Sequence, residues 1–350
     1  MKSSTRSIIC FISKAVAMTL PVIIPALLYY CIADPFKTVK NYDIYFEDPN
    51  VVPVRLGVNK GMVSVRNLST QRAKGMQYNA FIFGSSISCY YDAAEWATYL
   101  GDDALPYHFD SSSESLMSMA DKICYLDRNG IDIRYALLVL DSRIISVEDY
   151  QQVPYINPPD LYCGIKYLSQ WIHWHYVFFT AATNVDYLKT WIPWKMTGEK
   201  RVYGNNTIFD EQPIEYDAIT NQEEMPQWDS LIVRHPEQFY SAYPLIQSPD
   251  RASARPITID SQRIEALQTI ASIFAKQHTD YQIIISPNRF KQYLNPIDYE
   301  TLSGIFTPTR IHDYSLELVT DLECDTLLYD NAHYRPIYAS RLMKKCYTNL

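Results

Sequence analysis

An aspartate and a histidine three residues apart, Asp330 and His333, stand in the short polar run DNAH near the carboxyl end. A carboxylate so placed can accept from one imidazole nitrogen and fix the tautomer. The other nitrogen is then free to take a proton from a hydroxyl. Far upstream, FIFGSS (81–86) is an apolar run that ends in two serines, Ser85 and Ser86. A serine at the start of a helix after such a strand gains twice. Its backbone N–H points into the site, and the helix dipole favours a developing oxyanion. Each residue alone has an ordinary structural reading as a turn or cap. Together they are the parts of nucleophilic acyl transfer, with Ser86 as nucleophile, His333 as base and Asp330 as its orienting carboxylate.

The elements that must bring these residues together follow from hydropathy. Apolar runs at 78–83, 134–141 and 281–286 read as buried strands, with weaker ones at 105–110 and 325–329. Helical spacing predicts helices at 89–100, 114–130, 258–278, 291–304, 309–321 and 335–347. This alternation predicts an α/β fold with a doubly wound parallel sheet. In such sheets ligands bind beyond the carboxyl ends of the strands. Those ends are polar throughout: Gly84-Ser85-Ser86, Asp110-Ser111-Ser112-Ser113, Asp141-Ser142-Arg143, Ser286-Pro287-Asn288-Arg289 and Asp330 to His333. Ser85, Ser112, Ser142, Arg143, Asn288 and Arg289 are therefore candidates for oxyanion or substrate contacts.

The domain plan is a stub and apolar helix over 1–34, an irregular stalk over 35–75, and the α/β domain over 76–350. Residues 151–256, rich in Tyr, Trp, Pro and Asn with a helix at 167–179, are expected as an inserted aromatic-rich cap. Residues 15–33, AVAMTLPVIIPALLYYCIA, carry no charge over a length that crosses a bilayer. Lys2, Arg6 and Lys14 precede them without an acid, which predicts a single-pass signal anchor with the N-terminus in the cytoplasm and everything after Asp34 outside. A cleaved signal fits less well, because the small-residue motif Ala15-Val16-Ala17 precedes most of the apolar run.

A net charge of −8 and the lack of a basic stripe argue against nucleic acid as a partner. Of seven cysteines, five lie beyond the N-terminal segment at wide spacing with no C-x-x-C, which argues against a structural zinc site and a fully paired disulfide framework. His173 and His175, two apart on the cap helix, face different sides and cannot share an ion. No metal or cofactor is expected. The 29 tyrosines supply flat apolar faces with polar tips that suit carbohydrate surfaces, and equally a compositional habit of the source.

FGSSI at the first strand end, with DNAH near the C-terminus, resembles the SGNH/GDSL hydrolase superfamily. The resemblance covers roughly 76–150 and 257–350. It implies a three-layer flavodoxin-like parallel sheet, with Ser86 as nucleophile and Asp330 and His333 completing the triad. Within that superfamily the anchor and the inserted middle look most like membrane-tethered members, the teichoic acid D-alanine-transfer protein and the alginate O-acetylation proteins. The resemblance thus implies an O-acyl, chiefly acetyl, transferase or esterase of the periplasm or cell exterior. Its partners would be an acyl donor, a glycan and a membrane-bound O-acyltransferase. The chain departs from the family pattern at three points. Ser85 replaces the Asp of the Gly-Asp-Ser block, Ser111-Ser112-Ser113 stands where the second block's glycine belongs, and Asp141-Ser142-Arg143 replaces the Gly-x-Asn-Asp block. These departures keep open a second reading, an inactive docking subunit of a polysaccharide modification or export complex.

Overall fold

Three of the apolar runs form the middle of the sheet. In the computed structural model, which describes residues 2–48, 55–198, 209–210, 212–317 and 324–348, they are β1 (Ala80–Gly84), β3 (Tyr135–Leu140) and β4 (Asp280–Ile285), flanked by β2 (Pro106–His108) and β5 (Ile311–Asp313). The spatial order is β2-β1-β3-β4-β5 and every pairing is parallel. Register brings Gly84 beside Val139 and Leu140 beside Ile285, so the carboxyl ends of the central strands line up on one edge. Because β1 neighbours both β2 and β3, the chain leaves β1 in one direction and returns on its other side. That is the topological switch point where α/β sheets open a crevice.

The principal helices are α1 (Lys2–Ala33), α2 (Lys60–Ala73), α3 (Leu116–Arg128), α4 (Gly164–Ala182), α5 (Val185–Thr197), α6 (Ser261–Gln277) and α7 (Pro336–Thr348). Side chains alternate across β3: Leu138 and Leu140 join a core with α2, α3 and α6, and Leu137 and Val139 join one with α7. All six residues of β3 are buried, and each large aliphatic side chain so placed contributes roughly 1.5–3 kcal/mol. The helices Pro226–Arg234 and Pro236–Ala242, from within the expected cap, cover the α7 side through Ile232 and Phe239. A third core joins the end of α1 to the rest through Tyr30, Phe36, Met62, Trp174 and Phe178. The stretch Ser7–Ala33 of α1 is long and apolar enough to cross a membrane, and its most apolar 18-residue window is left uncovered by the fold.

Four expectations are corrected. The stretch 35–75, expected as irregular stalk, holds α2, which is capped by Asn59 accepting from Met62 N–H at 2.7 Å and is wedged between two cores by Val65 and Leu68 on one side and Met62 and Val63 on the other. The helix expected at 89–100 is a 3-10 turn, Ser88–Tyr90, and a separate helix, Ala93–Ala97, because Asp92 is extended and caps the second piece. The fifth strand is not 325–329 but Ile311–Asp313, inside the stretch read as a helix over 309–321, of which Tyr314–Glu317 is helical and residues 318–321 lie outside those described. Residues 325–327 make a 3-10 turn instead, and Leu328 pairs with Tyr334 in an antiparallel bridge.

Candidate active site

That bridge closes a tight loop around DNAH. Tyr329 N–H donates to His333 O at 2.9 Å and Arg335 N–H to Leu327 O at 2.8 Å. The loop is pinned to the sheet by Tyr334, whose hydroxyl meets Ser286 Oγ at 3.0 Å, just past β4, and the Tyr91 hydroxyl at 2.9 Å. Inside it, Asp330 Oδ1 accepts from the backbone N–H groups of Ala332 at 2.7 Å and His333 at 2.8 Å. The Asp330 carboxylate also meets His333 Nδ1, at 2.8 Å through Oδ2 and 3.0 Å through Oδ1. Partial burial pushes the Asp330 carboxyl up, but the His333 side chain and the two N–H groups outweigh it and hold the group below the usual carboxylate range.

The other half of the site follows β1. Gly84 is required by space: a Cβ there would lie 2.6 Å from Ser88 Cβ and 2.9 Å from Val139 O. Its absence lets the turn fold back over the strand end, where Ser88 N–H donates to Ser85 O at 2.9 Å. Ser86 projects from this turn, and its Oγ lies 2.7 Å from His333 Nε2, across 247 residues of chain. A serine hydroxyl, an imidazole and a carboxylate thus stand in one hydrogen-bonded line. Nδ1–H donates to Asp330, so Nε2 is left to accept from Ser86 Oγ–H. The Tyr90 ring packs edge-on against His333 at 5.9 Å between centroids.

Ser86 and His333 open onto a cavity of about 480 Å³. Its walls include Ser112, Ser113 and Arg143 from the strand ends, with Phe46 and Tyr155 as aromatic faces. The backbone N–H groups of Ser86 and Ser112 donate to no backbone carbonyl among the described residues, and both residues line the cavity. Two charged walls were missed by the sequence reading. Lys60 Nζ lies 3.0 Å from the Glu223 carboxylate and 3.9 Å from Asp110, and donates to Asn221 O at 2.9 Å. Burial pulls the Lys60 ammonium down, but the two carboxylates outweigh it and keep it protonated. Asp110 was legible as a strand-end acid, whereas Lys60 and Glu223 carry no sequence signal that points here. Cys89 was not singled out by the sequence reading. It lines the cavity, and its S–H donates to Ser86 O at 2.8 Å. Burial pushes its thiol well up, so it serves the turn as a neutral donor.

The remaining strand-end candidates divide. Ser85 is buried behind the site, its Oγ–H donating to the Asp141 carboxylate, which also caps the helix Ser142–Ser146 by accepting from Arg143 N–H at 2.6 Å and Ile144 N–H at 2.9 Å. Arg143 reaches the cavity and donates to the Tyr150 hydroxyl at 2.8 Å. The side chain of Ser142 lies outside the described residues. Asn288 and Arg289 are not brought to the cavity. Asn288 bonds the backbone of Gln292 at 2.6 Å, and Arg289 pairs with Asp325 at 2.7 Å and bonds Ile246 O. Of the cap histidines, His173 bonds Gln151 at 3.0 Å and His175 the Tyr30 hydroxyl at 2.9 Å. With this geometry in hand, neither a scan against protein-family models nor a search of curated proteins finds a match for the chain.

Proposed function

We propose that this chain is a membrane-anchored, serine-dependent O-acyl transferase or esterase that moves an acetyl group on a cell-surface or exported glycan. The observation that carries the reading is the continuous line from Ser86 Oγ through His333 to Asp330, with contacts of 2.7 and 2.8 Å. The strand order β2-β1-β3-β4-β5 with wholly parallel pairing supports the flavodoxin-like SGNH architecture, and Ser86 stands at its switch point. The apolar length of α1 supports a single-pass anchor. The basic residues ahead of it support an N-terminus in the cytoplasm and a catalytic domain outside the inner membrane.

In this reading Ser86 Oγ attacks the acyl carbonyl of the donor while Nε2 of His333 takes the hydroxyl proton. The N–H groups of Ser86 and Ser112 receive the oxyanion in place of the family's missing Asn. Collapse breaks the bond to the donor's leaving group, which takes the proton back from His333, and leaves acyl-Ser86. A glycan hydroxyl or a water then attacks, with His333 as base, to release the acyl product and free Ser86. The aromatic faces of Phe46 and Tyr155 and the hydroxyls of Ser112 and Ser113 suit a sugar ring with its apolar face and hydroxyl rim. Arg143 suits an anionic sugar substituent.

The purified full chain in detergent, given p-nitrophenyl acetate and an oligosaccharide acceptor, is expected to release nitrophenol and to acetylate the sugar or form acetate. Both products should vanish in Ser86→Ala. Product formation unchanged in a folded Ser86→Ala protein contradicts the assignment.

A further inference from the structure

The end of α1 is held by two helices with more apolar surface than the fold buries. Tyr29 meets Trp191 of α5 edge-on, with ring centroids 5.2 Å apart, and Tyr30 meets Phe179 of α4 at 5.8 Å. α4 buries Trp174, Phe178 and Ala182 in this junction. On its far side Ile165, Leu168, Ile172 and Tyr176 are 82%, 50%, 56% and 64% exposed, and steps of three, four and four residues align them in one stripe. α5 repeats the spacing with Val185, Leu188, Ile192 and Met196, of which all but the partly buried Leu188 are exposed. Lys189 and Lys195, both exposed, flank that second stripe at helical spacing. A helix apolar on two sides and buried on one needs a second apolar medium.

The position of α1 names the medium. Tyr30 is buried in the fold, whereas Ser7–Ala33 carries a window of membrane-spanning hydropathy with none of it buried. The bilayer that takes up α1 therefore begins where α4 and α5 grip it, within about one helix diameter. We propose that α4 and α5 lie in the interfacial layer of that bilayer, their apolar stripes against lipid and Lys189 and Lys195 among the headgroups. The half-exposed Trp171 and Tyr176 of α4 suit the same layer, where amphipathic rings collect. The inference rests on the reading that α1 spans a membrane. It carries a consequence for the site. Ile156 follows the cavity residues Pro154 and Tyr155 and packs in the core of Trp174 and Phe178. The cavity wall and the lipid-facing helices share one core.

The test uses the full chain in phosphatidylcholine–phosphatidylglycerol vesicles. Nitroxides are placed on single cysteines in Ile172→Cys, Ile192→Cys, Ile23→Cys and Ile337→Cys, with the exposed Cys10, Cys31, Cys163 and Cys324 changed to Ser. Ile337 is exposed on α7, which covers the other face of the sheet. Labels at 172 and 192 are expected to match 23, with a several-fold higher ratio of oxygen to nickel-chelate collisions than at 337. A lipid-like label at 23 with water-like labels at 172 and 192 overturns the inference and leaves the anchor standing. A water-like label at 23 removes the anchor itself. Labels at 172 and 192 shielded from both reagents mean that a second copy of the chain covers the stripe, which also overturns it.

Discussion

At the residue scale, the proposed catalysis turns on which imidazole nitrogen carries the proton, and Asp330 is placed to decide that. In Asp330→Asn the amide oxygen still accepts from Ala332 and His333 N–H, so the loop keeps its shape. The amide nitrogen then faces Nδ1, which favours the tautomer with its proton on Nε2, and Ser86 loses its acceptor. The expected result is labelling by a serine-reactive phosphonate slowed on the order of 10³–10⁴-fold, with a melting temperature unchanged within a few degrees. The variant should remain slower than the native protein throughout the range above about pH 5. The depressed carboxyl keeps its charge there and loses it, with the stability it adds, only as pH falls through its lowered value. A rate near the native one counts against the triad. Two strand-end residues also explain each other here. Ser85 donates to Asp141, so an Asp at 85 would set two buried carboxylates against each other.

At the element scale, the loop after β2 is held from below by α3. Lys122 is fully buried, 2.8 Å from Glu114, and donates to Phe109 O at 3.1 Å and Ser111 Oγ at 2.7 Å. Burial pulls this ammonium down and pushes the Glu114 carboxyl up, so each needs the other. Lys122→Met should cost about 3–5 kcal/mol in thermal or urea unfolding, and adding Glu114→Leu should recover most of it. Equal losses in the single and double variants would show that the pair is not the cause. Elements with strong periodicity were legible in the sequence: β1, β3, β4, α3 and α6 fall where the apolar runs and helical spacing placed them. β5 was not, because three residues between helical stretches carry too short an alternation to read. α2 was not, because its buried positions include the polar Lys60, Ser64, Asn67 and Gln71 and so leave no apolar stripe to mark its period. Ser86, Asp330 and His333 were legible because loop chemistry is local. Lys60 and Glu223 were not, because only the tertiary fold brings them to the cavity.

At the scale of the whole molecule, the chain joins an apolar helix, two half-covered helices and a polar cavity through one continuous core. The carboxyl edge of the sheet gathers Ser86, Ser112 and Arg143 from three strand ends. The DNAH loop closes over them from the far end of the sequence. This arrangement makes the account stand or fall on Ser86. The direct measurement is mass-spectrometric mapping of a fluorophosphonate adduct on the folded, full-length protein. The account predicts a single modified serine, Ser86, with labelling abolished in Ser86→Ala and retained in Ser85→Ala. A folded native protein that takes no label, or a Ser86→Ala protein that labels as the native one does, would contradict it and favour a docking subunit.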